Sequence, residues 1–398
     1  MKIYSPILFI EINKTEYIFL VRDEDESSQS KIIYEKTMPI KGVENYKITD
    51  FDLAHNTIKE NVYLIEQKLN FIFKDVILIV DNFNCSFINL TGFKKLNGSQ
   101  ILKENITFIL NTLKSNIDEF EKEKTILHIF NSNYCLDKKK IENLPIGLFG
   151  DFYSHELCFS LMKNNDFKNL SNIFKNCNLK IRKILLKSFV EGSYLSDKNK
   201  NLNTFFKLQI NDDSSQILYF ENDALKFEQN FNFGTNLIIN DISKITSLSK
   251  DIIKKIIQNS KFNQGISDKE LIEKELFGNE NYRKIKKNLV YDIAAARIHE
   301  LIEIFILNNV NFISYEKKNI MLFLKIDNKF HFECFRNVYE IFLAKKNNLK
   351  FQLTESLKTI DLVNAANNLS NYGWKKEAVP VIHAKKSIIQ RVFDTIFD

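Results

Sequence analysis

Short apolar runs alternate with polar turns over the first forty residues of the chain. The apolar runs cover 7–12, 17–21 and 32–34, and the segments between them are polar. Because short turns between such runs are typical of antiparallel hairpins, the pattern predicts a meander of three strands.

A helix and a further strand are predicted directly after this meander. Apolar side chains recur at helical spacing after Asp52, a residue able to cap the helix, at Ile58, Val62, Ile65 and Leu69. The apolar run 76–80 then predicts a buried strand. The order is therefore three strands, a helix and a strand.

The same order of elements returns in the second half of the chain. The pattern predicts three strands, two helical segments and a closing strand, at 205–210, 216–220, 225–231, 241–257, 281–307 and 320–326. Two similar halves predict an α/β protein with two lobes and a ligand cleft between them.

Composition and charge exclude several classes of protein. The chain carries 56 Lys and Arg against 50 Asp and Glu, a net charge of +6, and these charges are spread along it. Nucleic-acid binding usually concentrates positive charge, so no nucleic-acid partner is predicted. The five cysteines form no CxxC pair and the six histidines show no ligand spacing, so neither a disulfide framework nor a metal site is expected.

The ends of the chain predict where the protein resides. No apolar run reaches the length of about 18 residues that a membrane span requires. The first apolar run is broken by Glu11 and precedes no small-residue cleavage site, so it predicts a strand and not a signal peptide. The protein is expected to stay in the cytoplasm.

Several short motifs occur in an order that resembles FtsA, a bacterial cell-division family with an actin-like fold. The matching segments are Lys41-Gly42-Val43, the Pro- and Gly-containing stretch 143–150, the segment 167–170, Phe233-Gly234 with Asp241-Ile242, and the stretch from Arg297 to Glu300. The resemblance covers nearly the whole chain. It implies a two-lobed actin-like fold with an FtsA-type inserted subdomain and a C-terminal amphipathic helix.

The resemblance also implies how the chain is divided. The first lobe would comprise 1–82 and 164–204, with the inserted subdomain at 83–163. The second lobe would have an inner part, 205–234 and 301–372, and an outer subdomain, 235–300. A linker, 373–384, would lead to the terminal helix, 385–398.

An FtsA-like protein is expected to act as a scaffold of cell division. The resemblance implies that the outer subdomain binds the C-terminal tail of FtsZ, for which Arg297, Lys286 and Lys287 are the predicted cationic contacts. The inserted subdomain would recruit later division proteins and contribute to self-association into filaments. The expected location is the cytoplasmic face of the inner membrane at the division site.

The terminal segment is the predicted membrane anchor. Its apolar residues form one stripe at about 100° per residue, and three basic residues accompany them: Lys385, Lys386, Ile388, Ile389, Arg391, Val392, Phe393, Ile396 and Phe397. Such a helix can lie in the interface of an anionic membrane.

The two turns that would hold a nucleotide depart from the family pattern. Actin-like ATPases use glycine-rich turns because glycine lets backbone N–H groups approach the phosphates. The corresponding positions here are Asn13, Lys14 and Thr15 in the first turn, and Asn211, Asp212 and Ser214, followed by Gly234, in the second. ATP and Mg²⁺, which the resemblance implies, are therefore expected to bind weakly or not at all, and no enzymatic activity is predicted.

Two other interpretations share the predicted fold. An actin-fold ATPase or a sugar-kinase-like phosphotransferase would need the phosphate turns and a carboxylate for Mg²⁺, where this chain has Gln209. A pilus-assembly adaptor of the PilM type would bind the tail of a membrane partner instead of using a terminal amphipathic helix.

Overall fold

A computed structural model describes residues 6–23, 31–199, 202–259, 269–278, 280–315, 320–345 and 349–378. These residues form two compact units. Unit 1 contains the described residues up to Tyr194, the segment Asn222–Lys226, and the described residues from Ile360 onward. Unit 2 contains Leu195–Glu221 and Phe227–Thr359.

The strands, in chain order, are β1 Ile7–Ile12, β2 Glu16–Asp23, β3 Lys31–Pro39, β4 Val43–Glu44, β5 Lys47–Ile48, β6 Asp75–Val80, β7 Ser86–Lys95, β8 Lys124–Leu136, β9 Lys139–Ile141, β10 Phe152–Lys163, β11 Lys180–Leu186, β12 Phe205–Ile210, β13 Ser215–Glu221, β14 Ala224–Phe231, β15 Ile320–Ile326 and β16 Leu349–Leu353. The α-helices are α1 Phe51–Leu69, α2 Lys103–Phe120, α3 Asn164–Asn176, α4 Lys187–Lys198, α5 Asn236–Thr246, α6 Lys250–Asn259, α7 Lys287–Ile302, α8 Val310–Tyr315, α9 Lys329–Ala344 and α10 Thr359–Tyr372. None of these helices is long and apolar enough to cross a membrane.

The main sheet of unit 1 has the strand order β11-β6-β1-β2-β3. β1 pairs antiparallel with β2 and parallel with β6, so its residues are buried on both faces of the sheet. The apolar run of β1, in which Glu11 is the one polar residue, is the pattern expected of such a central strand. The N-cap of α1 lies two residues earlier than predicted. Asp50, and not Asp52, is the N-cap, and its side chain accepts the N–H of Leu53.

A second sheet of unit 1 is built from residues 86–163, with the order β7-β10-β8-β9. α2 packs on one face through Ile109 and Leu113. The backbone of Gly92 lies so close to this helix that an added Cβ would be 2.4 Å from Ile109 Cγ2. Gly92 thus allows the helix to pack closely on β7.

His155 of β10 gives this second sheet an expected dependence on pH. Its ring is buried beside Tyr134, and neither ring nitrogen has a hydrogen-bond partner among the described residues. Burial, together with the charge of Lys376, lowers the pKa of His155 from 6.5 to about 4. Between these values the unfolded chain binds more protons than the folded one, so stability falls as the pH falls.

Lowering the pH from 7 to 5 is therefore expected to remove about 2 kcal/mol of stability through His155 alone, at about 1.36 kcal/mol per pH unit. Urea denaturation of the natural chain and of His155→Phe at both pH values checks this. The variant should lose about 2 kcal/mol less than the natural chain. Equal losses in the two proteins would show that His155 is not held neutral by burial.

The sheet of unit 2 has the order β14-β13-β12-β15-β16, and its helices pack on it around a core rich in isoleucine and phenylalanine. The single helix predicted over 241–257 is wrong, because α5 and α6 are separate helices. Ser247, after the end of α5, adopts a left-handed backbone with φ 53°. Ser249 then accepts the N–H of Ile252 at the start of α6, so this serine-containing corner both ends one helix and begins the next.

The last described segment belongs to unit 1, which corrects two predicted boundaries. α10, predicted within the second lobe, lies in unit 1, where Asn364 accepts a hydrogen bond from Arg22 and Asn371 one from Arg182. Residues 374–378, predicted as linker, are attached to β8 by an isolated antiparallel bridge between Glu377 and Phe130. The indole of Trp374 is buried and donates to the carbonyl of Asp223, which explains why this segment is packed.

Candidate functional site

The turn between β1 and β2 is closed by its own asparagine. Asn13 Oδ1 accepts the N–H of Thr15 at 2.9 Å and the N–H of Glu16 at 2.8 Å. The N–H of Asn13 in turn donates to the carbonyl of Glu16. Since backbone N–H groups are what a phosphate would need at such a turn, two of those donors are already occupied. Lys14 is exposed and lies outside these hydrogen bonds.

A lysine neutralises the carboxylate that precedes this turn. Glu11 is buried in β1, and Lys187 Nζ, at the start of α4, lies 2.7 Å from its Oε1. Burial alone would lower the pKa of Lys187, but the carboxylates of Glu11, Glu191 and Asp81 raise it above the ordinary value. Lys187 is therefore a permanent cation beside these three carboxylates and compensates their charge.

The turn between β12 and β13 in unit 2 is likewise satisfied internally. The N–H of Asn211 donates to the carbonyl of Ser214, and Asn211 Nδ2 donates to Ser214 Oγ. Gln209 Nε2 donates to Asn211 Oδ1 at 2.9 Å. Gln209 thus presents a side-chain donor within this network and not the carboxylate that would order Mg²⁺.

The same turn also covers the start of α5. The N–H groups of Thr235 and Asn236 donate to the carbonyls of Asn211 and Asp212. The carboxylates of Asp212 and Asp213 accept hydrogen bonds from the side chains of the same two residues. A helix N-terminus attracts anions, and here the chain supplies them itself.

Gly234 allows this close approach. A Cβ at this position would lie 1.9 Å from the carbonyl oxygen of Asn211. Gly234, predicted as a nucleotide-binding residue, thus has a packing role in the described structure. Asn328, at the end of the neighbouring strand β15, also reaches Asp212 Oδ1, at 3.4 Å.

Taken one by one, the two turns do not fit a bound Mg-ATP. The N–H groups of Asn13, Thr15, Glu16 and Asn211 are directed to acceptors within their own turns, and the second turn carries two exposed carboxylates. A phosphate there would meet like charge and would have to displace existing hydrogen bonds. In the part of the chain that the structure describes, no group of three His, Cys, Asp or Glu is placed to hold a metal ion.

Two of the three residues predicted to contact a partner already form ion pairs within unit 2. Arg297 on α7 donates to Asp241 through Nε and to Glu300 through Nη1. Lys287 lies 2.5 Å from the carboxylate of Glu273. Arg297 and Lys287 are thus each held by a carboxylate of unit 2.

Lys286 is the predicted contact that stays exposed. Lys286 immediately precedes α7, and its backbone forms an isolated bridge with Leu271. Its side chain is exposed and forms no ion pair with the described residues. The predicted membrane anchor, 385–398, lies outside the described residues.

Two features could not be predicted from the sequence: the ion pair of Lys187 and the packing of segment 374–378. A signal for the first was present, because one glutamate within the apolar run of β1 requires a buried cationic partner. The partner lies 176 residues away in the sequence, so its identity required the structure. For the second, the single tryptophan of the chain was the available signal.

Comparison with solved structures defines the class of fold. A chain of the PilM–PilN type IV pilus biogenesis complex aligns with a TM-score of 0.52 and 10% identity, over 92% of this chain and 98% of that one. At this identity the likeness concerns the fold alone. The predicted two-lobed α/β fold of the actin-like ATPase class is confirmed.

Comparison of sequences identifies the relatives within that class. Cell division protein FtsA of Buchnera aphidicola subsp. Schizaphis graminum is 21% identical over 302 residues, which are 75% of this chain and 71% of the relative. FtsA of Neisseria meningitidis serogroup B is 21% identical over 303 residues, 74% of this chain and 71% of the relative. No protein-family model matches the chain. The predicted resemblance to FtsA is thereby confirmed.

Proposed function

We propose that this protein is a scaffold of bacterial cell division that binds the C-terminal tail of FtsZ and tethers it to the cytoplasmic membrane. The observation that carries the proposal is the similarity to FtsA over about three quarters of the chain. The protein would act at the cytoplasmic face of the inner membrane at the division site, associate with itself, and recruit later division proteins.

The scaffold is proposed to work without nucleotide turnover. The internally satisfied turns and the Lys187–Glu11 pair support this part of the proposal, because each places a side chain of the protein where phosphate or metal chemistry would need a free group. An adaptor that only holds two partners together needs no such group.

Lys286 is the cation proposed to meet the acidic, apolar FtsZ tail. It is exposed, whereas Arg297 and Lys287 have carboxylate partners within unit 2. An unpaired cation can contact a peptide carboxylate without breaking an existing ion pair.

Replacing Lys286 by glutamate is expected to weaken binding of the FtsZ C-terminal peptide about threefold to tenfold, the effect of reversing one partly screened charge at a surface. Fluorescence anisotropy with a labelled peptide measures the affinity, and a thermal melt checks folding. Lys350→Glu, an exposed lysine of the same unit on β16, is the matched control. Equal affinities of the two variants would place the docking surface elsewhere.

A PilM-like adaptor of pilus assembly is the second candidate, favoured by the structural alignment with the chain of the PilM–PilN complex. FtsA is preferred because the similarity to it extends to the sequence. Binding of a cytoplasmic peptide from a pilus membrane protein, with no binding of the FtsZ tail, would reverse this preference.

A further inference from the structure

Exposed apolar side chains are concentrated at one end of the second sheet of unit 1. Phe93 of β7 and Phe152 of β10 lie across this end with their ring centroids 5.6 Å apart, and both are exposed. Phe149 has 70% of its surface exposed, and the preceding residue, Leu148, is exposed as well. We call these four residues the apolar tip. A concentration of exposed apolar side chains marks an interaction surface.

Backbone hydrogen bonds hold the loop that carries Leu148 and Phe149. Ile101 N–H donates to the carbonyl of Leu148 at 2.8 Å, and Gly147 N–H donates to that of Ile101 at 2.8 Å. Phe149 forms an isolated antiparallel bridge with Gln100. The exposed side chains are therefore presented by a fixed backbone, so a partner does not have to order the loop before it can bind.

The turn between β8 and β9 packs against the same end of the sheet. Asp137 Oδ1 accepts the N–H groups of Asp151 at 2.9 Å and Phe152 at 2.8 Å, and Asp137 N–H donates to the carbonyl of Phe152. These contacts place Lys138 and Lys139, which follow Asp137 in the chain and are exposed, beside the apolar tip.

Lysines outnumber acidic residues around the apolar tip. Lys95, at the end of β7, is exposed and lies opposite Phe152 in the strand register. Residues 93–104 and 136–152, which form this end of the sheet, contain six lysines and four acidic residues. The positive excess is small, so electrostatic attraction to an anionic partner adds to apolar contact without dominating it.

Projecting apolar side chains beside lysines fit a lipid surface. At a membrane interface, apolar side chains enter the boundary between headgroups and acyl chains, while lysines meet the anionic headgroups. Such an interface accepts a projecting side chain without a preformed pocket. A protein partner would have to supply a complementary pocket for Phe149, which is the most exposed member of the apolar tip.

We propose that the apolar tip inserts into the interface of an anionic membrane, with Lys95, Lys138 and Lys139 at the level of the headgroups. Its four apolar side chains are fewer than the six of the predicted terminal anchor, 385–398. The apolar tip therefore orients the protein on the membrane and does not replace that anchor. This role deepens the proposed tether and rests on it, whereas the insertion itself is tested with vesicles alone.

A tryptophan at position 149 reports insertion directly. Phe149→Trp and the control Phe120→Trp are made in the full-length chain with a C-terminal polyhistidine tag. Nickel-chelating lipid in phosphatidylglycerol vesicles then holds both proteins at the surface, independently of residues 385–398. Phe120 is 80% exposed and ends α2, about 27 Å from the start of that helix beside the apolar tip. The buried Trp374 is common to both proteins.

Lipids brominated near the headgroup end of their acyl chains should quench the added tryptophan at position 149 at least about threefold more than the one at position 120. Equal quenching at the two positions, or none at position 149, would overturn the proposal and leave the apolar tip to a protein partner. Failure of the untagged natural chain to sediment with vesicles would count against the proposed tether, while the tagged proteins still decide whether the apolar tip inserts.

Charge reversal tests the part of the lysines. Adding Lys138→Glu to Phe149→Trp should lower the quenching about twofold, because one headgroup contact becomes repulsive. Lys122→Glu, at an exposed lysine next to Phe120, is the matched control and should leave the quenching at position 149 unchanged. Thermal melts verify that both variants are folded. Equal quenching in the two variants would contradict an anionic membrane as the partner.

Discussion

Replacing Lys187 by methionine is expected to lower the free energy of unfolding by about 3 kcal/mol, the low end of the loss seen when one partner of a buried ion pair is removed, because the lysine side chain is 29% exposed. Glu11 has only 3% of its side chain exposed, and Lys187 Nζ is 2.7 Å from its carboxylate. Without the lysine, that carboxylate must either stay charged and uncompensated or take up a proton. Both alternatives cost free energy in the folded state only.

A double variant separates the charge from the packing. Glu11→Leu combined with Lys187→Met removes both charges, and an apolar pair of similar volume often restores most of the stability of an ion pair. Urea denaturation of the natural chain, the single variant and the double variant measures the three free energies. A loss below about 1 kcal/mol for Lys187→Met alone would show that the pair is as weak as a surface salt bridge.

Replacing Gly234 by alanine is expected to destabilise unit 2 by about 3 kcal/mol or more, which places it among the severe effects of overpacking. The added Cβ would lie 1.9 Å from the carbonyl oxygen of Asn211. That atom belongs to the backbone, so the turn must move away from α5. Movement breaks the hydrogen bonds from the N–H groups of Thr235 and Asn236.

Ser214→Ala is the matched control in the same turn. It deletes the hydroxyl that accepts from Asn211 Nδ2 and leaves the backbone contacts in place, so it should cost about 1 kcal/mol. Thermal and urea denaturation of both variants gives the comparison. If Gly234→Ala were no more destabilising than Ser214→Ala, the close packing of this turn on α5 would be contradicted.

The fold could be predicted because local sequence patterns indicate the strands and helices of each lobe. The apolar runs of β1, β6 and β12 predict buried strands, and the polar turns between the first runs predict antiparallel pairing. These signals lie within a few residues of one another. They do not depend on which distant segment completes the sheet.

What could not be predicted depends on contacts between distant parts of the chain. α10 follows the second lobe in sequence, yet it lies in unit 1, where its Asn371 meets Arg182. Segment 374–378 is attached through Glu377 to Lys183, 194 residues earlier. No periodicity in residues 359–378 carries information about such partners.

At the candidate site, too, local features could be predicted from the sequence, whereas contacts between distant residues could not. The loss of glycine from the two turns was visible in the sequence. The structure adds that Asn13 accepts N–H groups of its own turn, whereas the side chain of Asn211 donates to the hydroxyl of Ser214 in its turn. Arg297 was predicted to contact the FtsZ tail. The structure shows it paired with Glu300 on its own helix and with Asp241, which lies 56 residues away and so gave no local signal.

The central claim, that this chain couples the FtsZ tail to a membrane without nucleotide, is tested by recruitment to vesicles. A labelled FtsZ C-terminal peptide is mixed with phosphatidylglycerol vesicles and the full-length protein, and the peptide that sediments with the vesicles is measured with and without Mg-ATP. Phe393→Glu, a change within the predicted membrane anchor, serves as the control that should abolish recruitment. We expect equal recruitment with and without Mg-ATP. Recruitment that appears only with Mg-ATP, or not at all, would contradict the proposed function.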